Sequence, residues 1–282
     1  KTTLAQTFLK EMNCEMLYYN WDRREIRTRY RREPYFFHTD GLQQRKRHAK
    51  RWVCFDEIHK YPKWKNILKD FFDSFEKQYQ FIITGSARLD LFRKAGDALS
   101  GRYFLFKLLP LSLAEVAKKK SPLPTESAEA FLEALFSQSS APKEMEQLLT
   151  FSGFPEPFLK GNKIFQNNWQ QEYIDTLVKE DLRDLTQIHE VENVATLLTL
   201  LPERIGAPLS LNSLKEDLEV SYTATRNYLK SLILTYVLFT ISPYSKKISR
   251  SIKKEKKVYL LAPVVRSKKG EHKKLIDNLI AQ

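Results

Sequence analysis

The stretch Arg51-Trp52-Val53-Cys54-Phe55-Asp56-Glu57-Ile58-His59-Lys60 decides the fold. Its apolar run, Trp52 to Phe55, stops at two adjacent carboxylates, Asp56 and Glu57. A buried parallel strand has this look when its C-terminal end opens onto a ligand site. Any strand that ends in an acidic loop looks the same, so the weight rests on what surrounds it.

Upstream, the chain opens Lys1-Thr2-Thr3-Leu4-Ala5-Gln6-Thr7-Phe8-Leu9, with Leu4, Phe8 and Leu9 spaced for one helical face. A phosphate-binding P-loop ends G-K-[ST] and runs straight into such a helix. In that arrangement Asp56-Glu57 is the Walker B pair. Lys1 then reaches the β- and γ-phosphates of ATP, Thr2 and Asp56 hold Mg²⁺, and Glu57 polarises the attacking water. Thr3 completes the K-T-T group that binds the nucleotide. The glycine-rich half of the loop, which supplies the backbone N–H cradle, is absent from a chain that begins at the lysine. A start at Lys in mid-motif reads as a fragment. The alternative is that K-T-T only begins a surface helix.

Composition sets the bounds. With 282 residues and 42% hydrophobic content the chain is long enough for two domains with real cores. The formal net charge of +13 permits binding to nucleic acid or to an anionic surface without requiring it. The two cysteines, Cys14 and Cys54, read as buried free thiols of a reducing, cytoplasmic compartment. No run is long enough to span a bilayer, no signal peptide opens the chain, and the histidines lack metal-ligand spacing.

From the first helix onward, Glu15–Asp22 reads as a second strand ending in a carboxylate. Arg23–Lys50 is strongly basic and dotted with aromatics, either a polyanion-binding face or a solvated helix pair. After the central strand, Tyr61–Trp64 makes a turn. Trp64, Ile67, Leu68, Phe71, Phe72 and Phe75 then form a helical core stripe. Gln80–Ser86 is a further buried strand, and Thr84 or Ser86 is placed to sense the γ-phosphate; a helix cap is the alternative for Ser86. Arg102, ahead of the apolar Tyr103–Phe106 taken as a last strand, is the candidate charge stabiliser, in cis or from a neighbouring subunit. A surface ion pair is its alternative. Leu108–Glu115 closes the unit, and Ser112 before Glu115 matches a capping box.

Lys118–Thr125 has linker composition, and the chain beyond it reads helical. Phe131–Phe136 and Met145–Leu149 are apolar-periodic, Phe151–Pro157 reads as a rigid turn, and Trp169–Leu185 as a long helix with a charged Lys179–Asp184 run. The last third runs Val194–Leu201 helix, Ser210–Leu214 helix, Ser221–Leu234 helix, then strands Tyr236–Ser242 and Lys256–Leu261 around a lysine-rich loop. Three helices followed by a hairpin is the winged-helix order. The Ser221–Leu234 helix would present Tyr222, Thr225, Arg226 and Lys230 to DNA, and the wing would add Lys246, Lys253 and Lys254. The alternative is a winged helix used for packing.

The ordered series K-T-T-L-A at Lys1, F-D-E-I-H-K at Phe55, I-I-T-G-S at Ile82, S-G-R at Ser100, L-P-L-S-L-A-E at Leu109 and G-F-P-E-P at Gly153 resembles a known group. It is the bacterial and archaeal AAA-type ATPases that carry a C-terminal domain of unknown function. The resemblance implies an ATP-binding P-loop core, a helical linker and a winged helix, often followed by a restriction-endonuclease-like domain. Leu275–Ala281 resembles the start of that last domain. Ala262-Pro263 stands where the group has an aspartate ahead of proline and glycine.

The expected fold is therefore α/β: a doubly wound parallel sheet lacking its first strand over residues 1–117, a helical linker or lid over 118–190, a winged helix over 191–265, and the start of a truncated C-terminal domain over 266–282. The expected chemistry is Mg²⁺-dependent ATP hydrolysis, with DNA and a homo-oligomer as candidate partners and no membrane. The rival readings are a DNA-binding regulator or adaptor whose nucleotide site is passive, and a plain oligomerisation module.

Overall fold

The computed structural model describes residues 1–43, 50–85, 99–117, 141–177, 191–244 and 254–261. The chain divides into two units, Lys1–Leu108 and Leu109–Gln282.

In the first unit the apolar run is strand β2, Arg51–Asp56. Strands β1, Tyr18–Asn20, and β3, Tyr79–Thr84, flank it in parallel, in the order β1-β2-β3. Asn20, Asp56 and Thr84 are in register, so all three strands end level. The strand expected over Glu15–Asp22 shortens to three residues because Glu15–Leu17 coil into a 3-10 turn. Four helices complete the described part of the unit: α1, Thr2–Glu11; α2, Arg24–Arg32; α3, Phe36–Leu42; and α4, Trp64–Phe75.

Strand alternation decides what meets what. Trp52 sends its ring edge-on to Phe8 of α1 at 4.9 Å, whereas Phe55 meets Phe37 of α3 at 5.4 Å and Phe71 of α4 at 5.2 Å. Helices thus cover both faces of a small parallel sheet. Val53, Cys54 and Phe55 are fully buried. The stripe read in Trp64–Phe75 is the core face of α4, with Trp64, Ile67, Leu68 and Phe71 buried and Phe72 and Phe75 half-buried.

Among the described residues, no strand forms at Tyr103–Phe106, where a last strand was expected. Phe104 is 90% and Phe106 87% exposed. A strand needs a neighbouring edge, and β3 ends the described sheet with β2 as its sole partner.

The second unit begins with α5, Leu113–Val116, which carries the expected capping box: Ser112 Oγ accepts from the Glu115 N–H, and the Glu115 carboxylate accepts from the Ser112 N–H at 2.8 Å. Helices α6, Pro142–Phe151; α7, Pro155–Lys160; and α8, Lys163–Thr176, follow. The rigid turn read at Phe151–Pro157 is shorter than expected, because Pro155 starts α7: its fixed φ suits the first helical position, where no N–H is needed. Gly153 stands against Leu111, whose N–H donates to its carbonyl at 2.6 Å. A Cβ on Gly153 would lie 2.5 Å from the Leu111 carbonyl oxygen.

Helices α9, Val191–Leu200; α10, Leu211–Asp217; and α11, Tyr222–Leu234, then precede an antiparallel pair, β4, Leu238–Ile241, and β5, Lys257–Leu260. Val194, Leu197, Leu214, Leu232, Val258 and Leu260, all fully buried, make its core. The readings placed on Lys118–Thr125, Phe131–Phe136, Lys179–Asp184, Leu185, Ala262-Pro263 and Leu275–Ala281 lie outside the described residues.

Candidate functional site

Period-two alternation along β2 puts Trp52, Cys54 and Asp56 on the α1 face. The register then adds Tyr18, which pairs with Cys54, and Thr84, which pairs with Asp56. The first turn of α1 lies over this edge. Asp56, 1% exposed, is the centre of what results. Thr2 Oγ1 donates to Asp56 Oδ2 at 2.8 Å, the Tyr18 hydroxyl donates to the same oxygen, and Thr84 Oγ1 donates to Oδ1. Burial alone would raise the Asp56 pKa, but the hydroxyls of Thr84, Tyr18 and Thr2 outweigh it and hold the carboxylate below its ordinary range. Tyr18 is driven the opposite way, first by burial and then by its bond to Asp56.

Lys1 stands at the same edge, its ammonium donating to the Gly85 carbonyl at 2.5 Å. Glu57 follows directly at the end of the ladder. Its backbone is left-handed, φ +59°, and its N–H donates to the Thr84 carbonyl at 3.1 Å. Its carboxylate lies 3.6 Å from Lys60 Nζ and 3.6 Å from the buried His59 Nε2. Lys60 is anchored in turn by Asp22 at 2.7 Å. Burial raises the Glu57 pKa, with Lys60 and Lys1 opposing.

The expected residues Lys1, Thr2, Asp56, Glu57 and Thr84 thus converge on one strand edge. Thr3 is exposed on the first turn of α1. Ser86 lies outside the described residues. Arg102 is not brought to the cluster. It forms a two-point pair with Asp73, Nε to Oδ1 at 2.7 Å and a second nitrogen to Oδ2 at 3.3 Å. Asp73 is in the last turn of α4, which runs back from the end of β2 to the start of β3, so this pair sits at the far end of the sheet from Asp56.

Tyr18, Asp22 and Lys60 are site residues that sequence reasoning missed. Tyr18 had a signal: two residues apart on neighbouring parallel strands, hydroxyl and carboxylate share a face once the register is known.

In the second unit, Tyr222, Arg226 and Lys230 are exposed on α11 and Lys254 is exposed ahead of β5. Thr225 corrects the expectation. It is fully buried and its hydroxyl donates to the Ser221 carbonyl at 3.2 Å, because it belongs to the inward stripe of Tyr228, Leu229 and Leu232. Lys246 and Lys253 lie outside the described residues.

Asp56 and Thr2 offer hard oxygen donors, the type Mg²⁺ selects. Thr2 Oγ1 and Asp56 Oδ2, 2.8 Å apart, would be the protein oxygens to hold such an ion. Among the described residues no helix is long and apolar enough to cross a membrane.

Residues 1–117 match the family model of an AAA domain, the class of nucleotide-binding, ATPase-like domains. Residues 142–264 match the model of a domain of unknown function, DUF8612. An uncharacterized protein of Methanocaldococcus jannaschii is 26% identical over 206 residues, 69% of this chain and 44% of that protein. An uncharacterized protein of Mycobacterium tuberculosis is 24% identical over 208 residues, 74% of this chain and 42% of that protein; one from Mycobacterium bovis matches to the same extent. The matched segment therefore spans less than half of each of these relatives.

Proposed function

We propose that the AAA-type unit binds ATP with Mg²⁺ at the Asp56 edge and hydrolyses it. The observation that carries this reading is the convergence of Thr2, Asp56 and Glu57, separate in sequence, on the level C-terminal ends of a parallel sheet. Open α/β sheets bind their ligands at this end.

Each residue then has a task. Lys1 exchanges the Gly85 carbonyl for phosphate oxygens. Thr2 and Asp56 hold the metal, and Asp56 is kept ionised for it by the hydroxyls of Tyr18 and Thr84. A Mg²⁺ ion held by Thr2 and Asp56 would supply positive charge to offset that of the phosphates. Glu57, aimed away from Asp56 by its left-handed backbone, orients the attacking water and takes its proton. Asp22 and Lys60 hold the Glu57 carboxylate in place. Thr84 reports on the γ-phosphate through its bond to Asp56. With its guanidinium held by Asp73, Arg102 serves a neighbouring subunit's site only if that pair opens.

The test is Mg-ATP binding and phosphate release, measured on this chain and on a form extended ahead of Lys1 by a strand and a glycine-rich turn. Binding and turnover in either form, abolished by Asp56→Ala, support the assignment. Failure of both forms to bind removes it.

A second reading rests on the C-terminal unit. Helices α9, α10 and α11 followed by the β4–β5 pair have the winged-helix order, and Tyr222, Arg226 and Lys230 recur every fourth residue on one exposed face of α11. This reading makes α11 a DNA-contacting helix. Arg226→Ala with Lys230→Ala should weaken duplex binding, and unchanged affinity would refute it.

A further inference from the structure

Helix α2 has two chemically opposite sides. Its inner side is used up by packing. The Tyr30 ring meets Trp21 at 5.3 Å, Tyr61 at 5.7 Å and Phe71 at 6.1 Å. Arg29 makes a two-point pair with Asp40 of α3, at 2.7 and 2.6 Å, and lies over the Phe36 ring. Its outer side is arginine. Arg24, Arg31 and Arg32 are exposed, and among the described residues none of them meets a carboxylate. Arg27 alongside them donates to the Asp22 carbonyl at 3.2 Å, and among the described residues it too meets no carboxylate. Glu25 is the sole acid of the helix.

We propose that this outer face of α2 binds the phosphate backbone of a nucleic acid, at a site separate from α11. The chemistry selects the partner. Guanidinium groups match phosphate in planar, two-point geometry. Arg24 and Arg31 are two helical turns apart, about 10.5 Å along the axis at 1.5 Å per residue. That length spans roughly three phosphates of one strand at a 3.4 Å rise. A membrane surface fits poorly. An interfacial helix inserts an apolar side, and the apolar side of α2 is already buried against Trp21 and Tyr61. An acidic protein also fits poorly, because among the described residues the outer face of α2 itself carries no exposed aromatic or aliphatic anchor of the kind that carries protein interfaces. Backbone contacts need none and draw on charge alone.

The site also lies where it can matter. Helix α2 starts directly after β1 and Asp22, at the strand edge that carries Asp56 and Glu57. Asp22 links both sides: its carbonyl holds Arg27, and its carboxylate holds Lys60, the partner of Glu57. Nucleic-acid binding by α2 does not depend on ATP turnover, so this inference stands or falls separately from the hydrolase reading.

The experiment is fluorescence anisotropy of short labelled single-stranded and duplex oligonucleotides with the full chain, between about 50 and 200 mM salt. It compares wild type with Arg24→Ala/Arg31→Ala, Arg24→Lys/Arg31→Lys and Arg226→Ala/Lys230→Ala. The alanine pair should bind at least about tenfold more weakly at the lower salt, and its log–log salt slope should fall by about 0.7–0.9 per lost contact. The lysine pair should keep most of the slope. These residues are exposed, so circular dichroism should be unchanged. Affinity and slope untouched by the alanine pair overturn the proposal, as does loss confined to the α11 variant. Anionic lipid vesicles or polyglutamate binding the wild type while oligonucleotides do not would overturn it in favour of those partners.

Discussion

The Thr2 hydroxyl donates to Asp56 at 2.8 Å, tying the first turn of α1 to the C-terminal end of β2. Replacing Thr2 with Val removes that donor and one proposed metal ligand while leaving the Tyr18 and Thr84 hydroxyls on Asp56. Mg²⁺-dependent nucleotide affinity should fall at least about tenfold, the effect of one lost charge-assisted bond of about 1.5–3 kcal/mol. Metal-free nucleotide binding should change little. Calorimetric titration with and without Mg²⁺ separates the two, and an equal loss in both would show that Thr2 is only structural.

Glu57→Gln keeps the shape and the left-handed backbone but removes the proton acceptor. Turnover should drop by about 10²–10⁴, the usual share of a general base, with ATP affinity within about twofold. Single-turnover kinetics beside equilibrium binding makes the distinction. Loss of ATP affinity in this variant contradicts the assigned role.

Asp40 ties α2 to α3. Burial would raise its pKa, but Arg29 and the Tyr19 hydroxyl at 2.8 Å hold it below the ordinary value. A carboxylate depressed on folding contributes stability that is complete above its unfolded pKa, about 3.9, and is lost as pH falls through the folded value. Urea midpoints should therefore decline on acidification below about pH 4. Asp40→Asn should flatten that decline and cost about 2 kcal/mol at neutral pH, the scale of a hydrogen bond to a charged group. An acid limb as steep in the variant as in wild type would rule out this pair as its source.

Gly153 leaves no room for a side chain: its Cβ would sit 2.5 Å from the Leu111 carbonyl oxygen. Gly153→Ala must push α5 and its preceding residues off, at about 1–3 kcal/mol, typical of overpacking. Thermal melting should show a drop of several degrees, while Gly161→Ala, with nothing within 4 Å but φ +57°, reports backbone strain alone. Identical melting of wild type and Gly153→Ala would mean the contact yields freely.

Both thiols are buried, and burial first, then the nearby Asp56, pushes Cys54 up to about 12. A thiol that protonated reacts slowly with disulfide reagents. Ellman's reagent should detect neither cysteine in the native chain and both in denaturant. Rapid labelling of Cys54 in the native state would show that the β2 region opens readily.

Much of this arrangement was legible in the residues. The apolar run into Asp56-Glu57, the stripe of α4 and the capping box at Ser112 are local patterns with fixed periods, and the structure keeps each. Thr225 was legible too, since its spacing to Tyr228, Leu229 and Leu232 puts it on the inward face; polar chemistry was allowed to outweigh period. Tyr18 and the Arg102–Asp73 pair depend on register and helix direction, which no local window contains. The strand expected at Tyr103–Phe106 has the right residue types, yet strand formation is decided by a partner edge and not by propensity.

That exposed run has a practical consequence. Tyr103–Leu108 exposes a ribbon of aromatic and aliphatic side chains, and β3 is the rim of the described sheet. Either is a template onto which another chain can add a strand. Concentrating this polypeptide therefore favours cross-chain aggregation over a clean monomer.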